Sequence, residues 1–278
     1  MKNSEYKTIL GKCLRHIVLI IWCATSLFPL LWVFLISFKD NNQIFTTPFT
    51  FPDPVIKENY PKVFQSLDIF KGLMNSLIYS FATVALVCIL ASMVGFYLSK
   101  YTKRKILYYY FIIGMMIPSQ AIAIPMFVNL RNLHLNNTRI GIIIVYTVIE
   151  FGFAVFIMTG FIQKGVPDEL LEAAALDGCS VWGMYWRIAL PLAKTGIVTV
   201  GTFVFLHVWN EFFFALIFLT NQKLTSLNLT TYKLRGQYSS DYGLLAAGII
   251  ILAVPALVVY ALFQEQVVKG LTAGAVKG

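Results

Sequence analysis

The chain has 278 residues, of which 58% are hydrophobic and only 13% are charged. A soluble domain carries about a quarter charged residues, so this composition argues against a large soluble core and favours a chain embedded in a bilayer. The net charge of +9 does not indicate nucleic-acid binding, because the basic residues flank apolar runs, as they do at the cytoplasmic ends of membrane spans.

Apolar runs with few or no charges recur along the whole chain and predict six membrane-spanning helices. Each run is long enough to cross about 30 Å of hydrocarbon at about 1.5 Å per residue. The runs are 17–38, 72–99, 106–130, 140–163, 195–222 and 242–264. The first run lacks a small-x-small cleavage site and is too long for a signal-peptide core, so we expect an uncleaved first helix. Prolines within several runs favour a multi-helix bundle, where neighbouring helices satisfy the freed carbonyls.

The charged residues between the runs predict the orientation of the chain. With a cytoplasmic N-terminus, that side receives more than half of the 22 basic residues, including the cluster YTKRK at 101–105 in a very short loop. Short loops are where this rule works best. We therefore expect both termini in the cytoplasm, a cytoplasmic loop over 164–194 and one longer external loop over 39–71. A single membrane domain, 1–278, accounts for the whole chain.

The loop over 164–194 is polar and specific in its residues. Pro167 suits the first turn of a helix, and Asp168 and Glu169 meet the positive end of its dipole. The stretch 170–175 is leucine- and alanine-rich, and Gly178 is placed to end the helix in a left-handed turn.

A second short helix follows in the same loop. Ser180 is placed to cap it, and we expect it to present Trp182, Tyr185 and Trp186 before Pro191 stops it. Two short helices then meet at a glycine elbow, and one of them carries a small alanine face. The alternative is an amphipathic loop that rests on lipid headgroups, which the two tryptophans suit.

The residues of this loop resemble the EAA signature of the permeases of ABC importers. The matching positions are Glu172, Ala173, Ala174, Gly178, Ile188, Leu190 and Pro191. The resemblance implies that the loop is a coupling helix that docks into a groove on a cytoplasmic ATPase subunit. The chain departs from the commonest form at Cys179, where alanine is usual, and at Lys194-Thr195, where proline is frequent.

Three further segments resemble the carbohydrate-uptake, maltose-type branch of that family. They are PDPVIKENYPKVF at 52–64 followed by Asn75-Ser76, VWNEFFFALIFL at 208–219, and QVVKGLTAGAVKG at 266–278. The resemblance implies an all-α fold of six transmembrane helices, the type I importer bundle. It also implies a second permease subunit as heterodimer partner, two cytoplasmic ATPase subunits and an extracytoplasmic sugar-binding protein.

The sequence predicts no catalytic, cofactor or metal site. It contains no GxxxxGK[ST] phosphate loop and no grouping typical of nucleophilic or acid–base catalysis, so ATP hydrolysis is expected in a separate subunit. The four cysteines and three histidines are too dispersed for a disulfide framework or a metal cluster, and Cys23 and Cys88 are interpreted as buried thiols within apolar runs.

Acids within the predicted spans point to a translocation path. Glu211 at a bilayer centre would cost about 2.5–3.5 kcal/mol, so we expect it to face a cavity or a partner. Trp209 and Asn210 beside it offer a stacking face and an amide that suit a sugar, and Glu150 is the other candidate. Adjacent helical residues point about 100° apart, so these three neighbours cannot all line one path. The alternative is that Glu211 pairs structurally with another helix or lies near the outer interface.

Two other functions remain open at this point. Glu150 and Glu211 could serve an ion-coupled secondary transporter, although six spans are half the usual complement and no inverted repeat is visible. Within the ABC class, the permease could import another polar solute.

The C-terminal tail carries Lys269 and spaced glycines, including Gly270 and Gly274, which form a poor helix. The family resemblance implies that this tail contacts the ATPase subunits, and the alternative is a frayed terminus.

Overall fold

The computed structural model describes residues 2–66, 68–102, 105–235 and 240–275, with side chains described over 11–65, 68–102, 105–235 and 240–266. Helices account for the secondary structure of these residues, which contain no strand. The α-helices are α1 Lys2–Ile36, α2 Asn41–Thr46, α3 Asn59–Ser66, α4 Ile69–Lys100, α5 Lys105–Met116, α6 Ala123–Asn132, α7 Arg139–Gly165, α8 Asp168–Leu176, α9 Val181–Met184, α10 Leu190–Leu192, α11 Lys194–Asn210, α12 Phe213–Phe218, α13 Leu227–Tyr232 and α14 Tyr242–Ala275. Short 3-10 helices cover Ser119–Ile122 and Gln222–Leu224, and a π-helical turn covers Tyr185–Ala189. The expected all-helical fold is confirmed.

Four of the helical segments are long and apolar enough to cross a membrane. They are Gly11–Ile36, Ile69–Lys100, Arg139–Gly165 and Tyr242–Gln266. Two further pairs of helices qualify if each bent pair is one span, which raises the total among the described residues to six.

The first bent pair departs from the continuous helix that the run 106–130 suggests, and the second joins the loop over 164–194 to the run that begins at 195. Lys105–Met116 and Ser119–Asn132 meet at 89°, where Pro118 lacks the N–H that would continue the helix. Val181–Leu192 and Lys194–Asn210 meet at 74°. The run 195–222 is divided, because α11 ends at Asn210 and the short helix α12 begins at Phe213.

The chain forms two compact units, of which the first comprises Met1–Asp68 and Thr231–Ala253. The buried Lys39 in this unit donates from Nζ to the carbonyl of Thr47 at 2.7 Å. The Asn59 amide donates to the carbonyls of Ser37 and Lys39 at 2.9 and 3.0 Å. Gly243 lies so close to the Lys39 carbonyl that a Cβ would collide with it. Polar side chains therefore tie this unit's turns together.

The second unit comprises Ile69–Thr230 and Val254–Gly278 and contains the main apolar core. In this core α4 packs against α7 and α11. A Cβ at Gly95 of α4 would lie 3.0 Å from the backbone nitrogen of Thr159 and 3.1 Å from the carbonyl carbon of Met158. Lipid tails are as apolar as leucine, so close packing at small residues holds such helices together. Cys88 is buried in this core, as expected, whereas Cys23 on α1 is exposed.

Gly95→Ala should therefore destabilise the protein, because the added methyl group must push α4 away from the α7 backbone. Gly160→Ala on α7 is the matched control, since no heavy atom lies within 4 Å of a Cβ built there. We expect a loss of about 1–3 kcal/mol for Gly95→Ala in detergent and no loss for Gly160→Ala, measured by thermal melting of the purified protein. Equal melting temperatures for the two variants would show that the α4–α7 contact is not tightly packed at Gly95.

Candidate coupling loop and intramembrane polar cluster

The helix α8 begins and ends as its sequence predicts. Pro167 is its N-cap, and Asp168 and Glu169 occupy the first turn, where they favour the positive end of the helix dipole. Leu171 is buried against the core of the second unit. Leu176, in the last turn, is 90% exposed. The helix is thus anchored near its start and presents an apolar side chain near its end.

The predicted left-handed turn at Gly178 is confirmed. Gly178 has φ +79°, and its N–H bonds to the carbonyl of Ala175 at 3.0 Å. The N–H of Cys179 bonds to the carbonyl of Ala174 at 2.9 Å, which completes a Schellman motif. No heavy atom lies within 4 Å of a Cβ built at Gly178, so only the backbone conformation demands glycine here.

The second arm of the loop, which comprises α9, the π-helical turn and α10, is partly as expected. Ser180 caps α9, because its hydroxyl accepts from the Gly183 N–H at 3.2 Å. Trp182 and Trp186 are exposed. Tyr185, which we expected to be presented beside them, is buried instead. Its hydroxyl lies 2.8 Å from the Ser92 hydroxyl of α4, a long-range partner that the loop sequence does not reveal.

Pro191 does not stop this arm, contrary to expectation. The π-helical turn over Tyr185–Ala189 precedes it, in which the N–H of Leu190 bonds to the carbonyl of Tyr185. This wide turn shifts the hydrogen-bond pattern by one residue and accommodates a proline that has no N–H. The helical path continues through Leu192, and the bend of 74° follows at Ala193.

An ion pair attaches the first arm of the loop, which is α8, to α4. The side chain of Lys100 is buried, and its Nζ donates to Asp168 Oδ1 and to the carbonyl of Val166, both at 2.6 Å. The contacts of Lys100 and of Ser92 therefore tie both arms of the loop to one helix. In the sequence, Lys100 serves only as one of the basic residues that predict the orientation of the chain in the membrane. No local pattern connects it to Asp168, 68 positions later.

The seven signature positions divide into exposed and packed residues. The exposed ones are Glu172, Ala173, Gly178 and Pro191, and the partly buried ones are Ala174, Ile188 and Leu190. The partly buried side chains pack against the core of the second unit. Among these seven positions, the structure therefore places the carboxylate of Glu172 outward and the branched apolar residues inward.

The C-terminal tail is a continuation of α14, which extends to Ala275. The helix passes through Gly270 and Gly274 despite a cost of about 1 kcal/mol per glycine, contrary to the poor helix that we expected. The side chain of Lys269 lies outside the described residues.

Glu211 occupies the break between α11 and α12. Its carboxylate accepts from the N–H groups of Phe214 and Ala215 at 2.7 and 3.0 Å, and from the Tyr146 hydroxyl of α7 at 2.8 Å. The carboxylate thus caps α12 and ties it to α7. These contacts supply the structural partner that the sequence left as the alternative for Glu211.

The two residues before Glu211 point in different directions. Trp209 is buried and stacks on Phe205, with ring centroids 5.6 Å apart. Asn210 is exposed, and its side-chain amide donates to the carbonyl of Leu206 at 2.8 Å. Its own carbonyl accepts from Asn228 at 2.9 Å. Of these two residues, only Asn210 offers a face to a solute.

Glu150 is buried on α7 and pairs with a residue that the sequence does not single out. Its Oε2 lies 3.1 Å from Nδ1 of His207 on α11. In the sequence His207 is only one of three dispersed histidines. Neither helix carries a local signal for the pair, which forms because α7 and α11 are neighbours.

The first helix of the core also holds the segment that follows α12. The Asn75 amide donates to the carbonyls of Lys223 and Thr225, both at 3.0 Å, and the Tyr79 hydroxyl donates to the carbonyl of Leu224 at 2.7 Å. Both side chains come from the N-terminal part of α4. This helix therefore contacts the loop over 164–194 near one end and the segment 223–225 near the other.

Comparison with known proteins identifies the family. Residues 88–269 match the model of the binding-protein-dependent transport system inner membrane component, and the chain belongs to that family. The match includes the loop over 164–194 and the polar residues of α7 and α11. The protein is thus a membrane component of an ABC importer.

Individual relatives span nearly the full chain. The diacetylchitobiose uptake system permease protein of Streptomyces coelicolor is 32% identical over 94% of this chain and 87% of its own. The probable starch degradation products transport system permease protein of Thermoanaerobacterium thermosulfurigenes is 28% identical over 100% of both chains. The fold is similar to that of a bacterial ABC transporter involved in the import of alginate, with a TM-score of 0.82 at 21% identity over 92% of this chain and 96% of that one.

The contacts of Lys100 predict a graded response to substitution. Lys100→Met removes both the ion pair and the bond to Val166, whereas Asp168→Asn removes only the exposed charge. We expect Lys100→Met to cost about 1–3 kcal/mol and Asp168→Asn less than about 1 kcal/mol in thermal melting. Lys105→Met, at an exposed lysine, is the control and should melt like the parent. If Asp168→Asn lowers the melting temperature as much as Lys100→Met does, the hydrogen bond from Lys100 to the Val166 carbonyl adds nothing to stability.

The contacts of Glu211 predict a structural effect. Glu211→Ala leaves two N–H groups of α12 without their acceptor and should cost about 1–3 kcal/mol in thermal melting. Asn210→Ala should not, because its side chain bonds only to its own helix. Tyr146→Phe removes one of the three contacts and should fall between them. If the Glu211→Ala protein melts at the same temperature as the parent, the carboxylate does not stabilise α12 as a cap.

Proposed function

We propose that the chain is the permease subunit of an ATP-driven importer of a sugar or oligosaccharide, and that the loop over 164–194 docks on a separate ATPase subunit. The observation that carries the docking proposal is the exposed end of α8. An apolar side chain, Leu176, stands 90% exposed on a helix that is held by a Schellman turn and by the ion pair of Lys100. A rigid helix that presents an apolar side chain suits a groove on another protein.

The charges of α8 favour a protein partner over lipid headgroups. The segment 168–177, DELLEAAALD, contains four acids and no lysine or arginine. The cytoplasmic leaflet is negatively charged and attracts basic segments, so this segment is repelled by it. The exposed Trp182 and Trp186 suit an interface, but they lie on the second arm. A partner groove that contains arginine would bind Glu172 through strong, charge-assisted hydrogen bonds.

The substrate class is supported by what the relatives are named for. Two of them are permease proteins for diacetylchitobiose and for starch degradation products, and the matching fold belongs to an alginate importer. The rival substrate is another polar solute. Uptake of a panel of labelled sugars, by cells that lack this gene and by the same cells with it restored, tests the proposal. Restored uptake of a sugar supports it, and restored uptake of only a non-sugar solute contradicts it.

The remaining assembly is part of the same proposal. It comprises a second permease subunit, two cytoplasmic ATPase subunits and an extracytoplasmic sugar-binding protein, with both termini of this chain in the cytoplasm. ATP hydrolysis belongs to the ATPase subunits, and the C-terminal helix that carries Lys269, Gly270 and Gly274 contacts them. Asn210, which is exposed, and Glu150 border the translocation path; Trp209 and Glu211 support it through packing and capping.

Glu172→Lys should abolish docking, because it turns attraction to a basic groove into repulsion. The measurement is co-purification of the ATPase subunit with the tagged permease. We expect at least about a tenfold loss, which corresponds to about 1.4 kcal/mol. Leu176→Ser should also weaken co-purification by removing the apolar side chain.

Gln163→Lys is the matched control for Glu172→Lys, because it introduces a lysine at an exposed position of α7, outside α8. The ATPase subunit should still co-purify with the Gln163→Lys permease. Each variant must reach the membrane in parental amounts. If Glu172→Lys keeps its ATPase and transports as the parent does, the loop is not the coupling element.

A further inference from the structure

The His207 ring is polar, lies within a span and is open to its surroundings. Its side chain is 60% exposed, whereas the Glu150 side chain that it contacts is only 11% exposed. Glu150 lies near the middle of α7, far from either end of the helix. An exposed polar ring at that depth does not face lipid, because polar groups within the hydrocarbon pack towards a partner or a water-filled cavity.

The carboxylate fixes which ring atom is left for a ligand. The ring meets Glu150 Oε2 through Nδ1 at 3.1 Å, so Nε2 is on the other side of the ring. A hydroxyl group both donates and accepts, so it satisfies Nε2 in either protonation state. Hydroxyl groups are the polar groups that sugars carry in greatest number.

Aromatic rings flank the pair. Phe153 of α7 lies with its ring centroid 6.5 Å from that of His207, and Phe203 of α11 lies 5.5 Å from Phe153. Both phenylalanines are partly exposed. Asn210, one turn from His207 on α11, is exposed as well. A sugar has an apolar face that packs on aromatic rings and hydroxyl groups that bond to polar side chains, and this surface offers both.

We propose that His207 is a contact residue for the sugar as it crosses the membrane, held in place by Glu150 and flanked by Phe153 and Phe203. The inference rests on the proposed function for the class of solute. His207 touches the solute, and Glu150 is a positioning residue that acts through the ring. A second permease subunit that covers this surface is the rival occupant.

Thiol labelling tests whether the position is in a water-filled path. His207→Cys is introduced into a transport-competent background in which the native cysteines, Cys13, Cys23, Cys88 and Cys179, are replaced by alanine. Val148→Cys is the matched control, because it is exposed at similar depth on α7 but points about 160° away from Glu150. A charged, membrane-impermeant thiol reagent should label His207→Cys at least about tenfold faster, since only a hydrated thiol ionises to the reactive thiolate. The sugar that restores uptake should slow the labelling.

Transport measurements test the hydrogen bond. His207→Phe keeps a ring but loses the polar atoms, and should lower the rate of sugar uptake about three- to tenfold. His207→Gln should retain more activity. His16→Phe, at an exposed histidine outside the second unit, should transport as the parent does.

The outcomes separate this inference from the proposed function. Equal labelling of both cysteines, parental uptake by His207→Phe, or loss of the second permease from the purified His207→Phe complex each overturns the role of His207 and leaves sugar import standing. If His207→Cys is labelled rapidly and only a non-sugar solute slows the labelling, the proposed sugar substrate is wrong. The place of His207 in the path is then retained.

Discussion

Water is absent from the hydrocarbon core of a bilayer, so each polar group placed there needs a partner within the protein. Several polar side chains of the second unit meet this constraint by reaching between helices. Glu211 accepts from two N–H groups where the helix breaks, and Glu150 contacts His207 on the neighbouring helix. Asn75 and Tyr79 bond to the carbonyls of 223–225, which lie in non-helical or 3-10 backbone. Irregular backbone is therefore present where α4 and α7 supply its hydrogen bonds.

The same requirement makes α4 the common support of the second unit. Its N-terminal part holds the segment after α12 through Asn75 and Tyr79. Its C-terminal part holds both arms of the loop over 164–194 through Ser92 and Lys100. Gly95 lies between these last two and allows α7 to approach closely. Two regions far apart in the sequence are thus connected through one continuous helix rather than through flexible loops.

The sequence predicts those features of the site that depend on local interactions. Pro167, Gly178 and Ser180 act on backbone groups within four residues, so their roles as caps and elbow could be inferred without a structure. The burial of Tyr185 and the break at Glu211 depend on partners in α4 and α7, which no local pattern reveals. Hydropathy reports the length of a span and not its direction. The six apolar runs could therefore be found in the sequence, whereas the 74° bend at Ala193 could not.

The contacts of the loop suit the docking role that we propose for it, because they hold α8 at both ends. A Schellman turn at Gly178 fixes α8 to the following arm, and the ion pair of Lys100 fixes the start of α8 to α4. A displacement applied at the exposed Leu176 therefore moves α8 as a body, since neither end is free to absorb it. The second arm contacts α4 through Tyr185 and Ser92, and the π-helical turn over Tyr185–Ala189 and the bend of 74° at Ala193 change its course before α11 begins. Within the second unit, α4 thus holds both arms of the loop, and the bend at Ala193 connects the second arm to α11, the helix that carries His207.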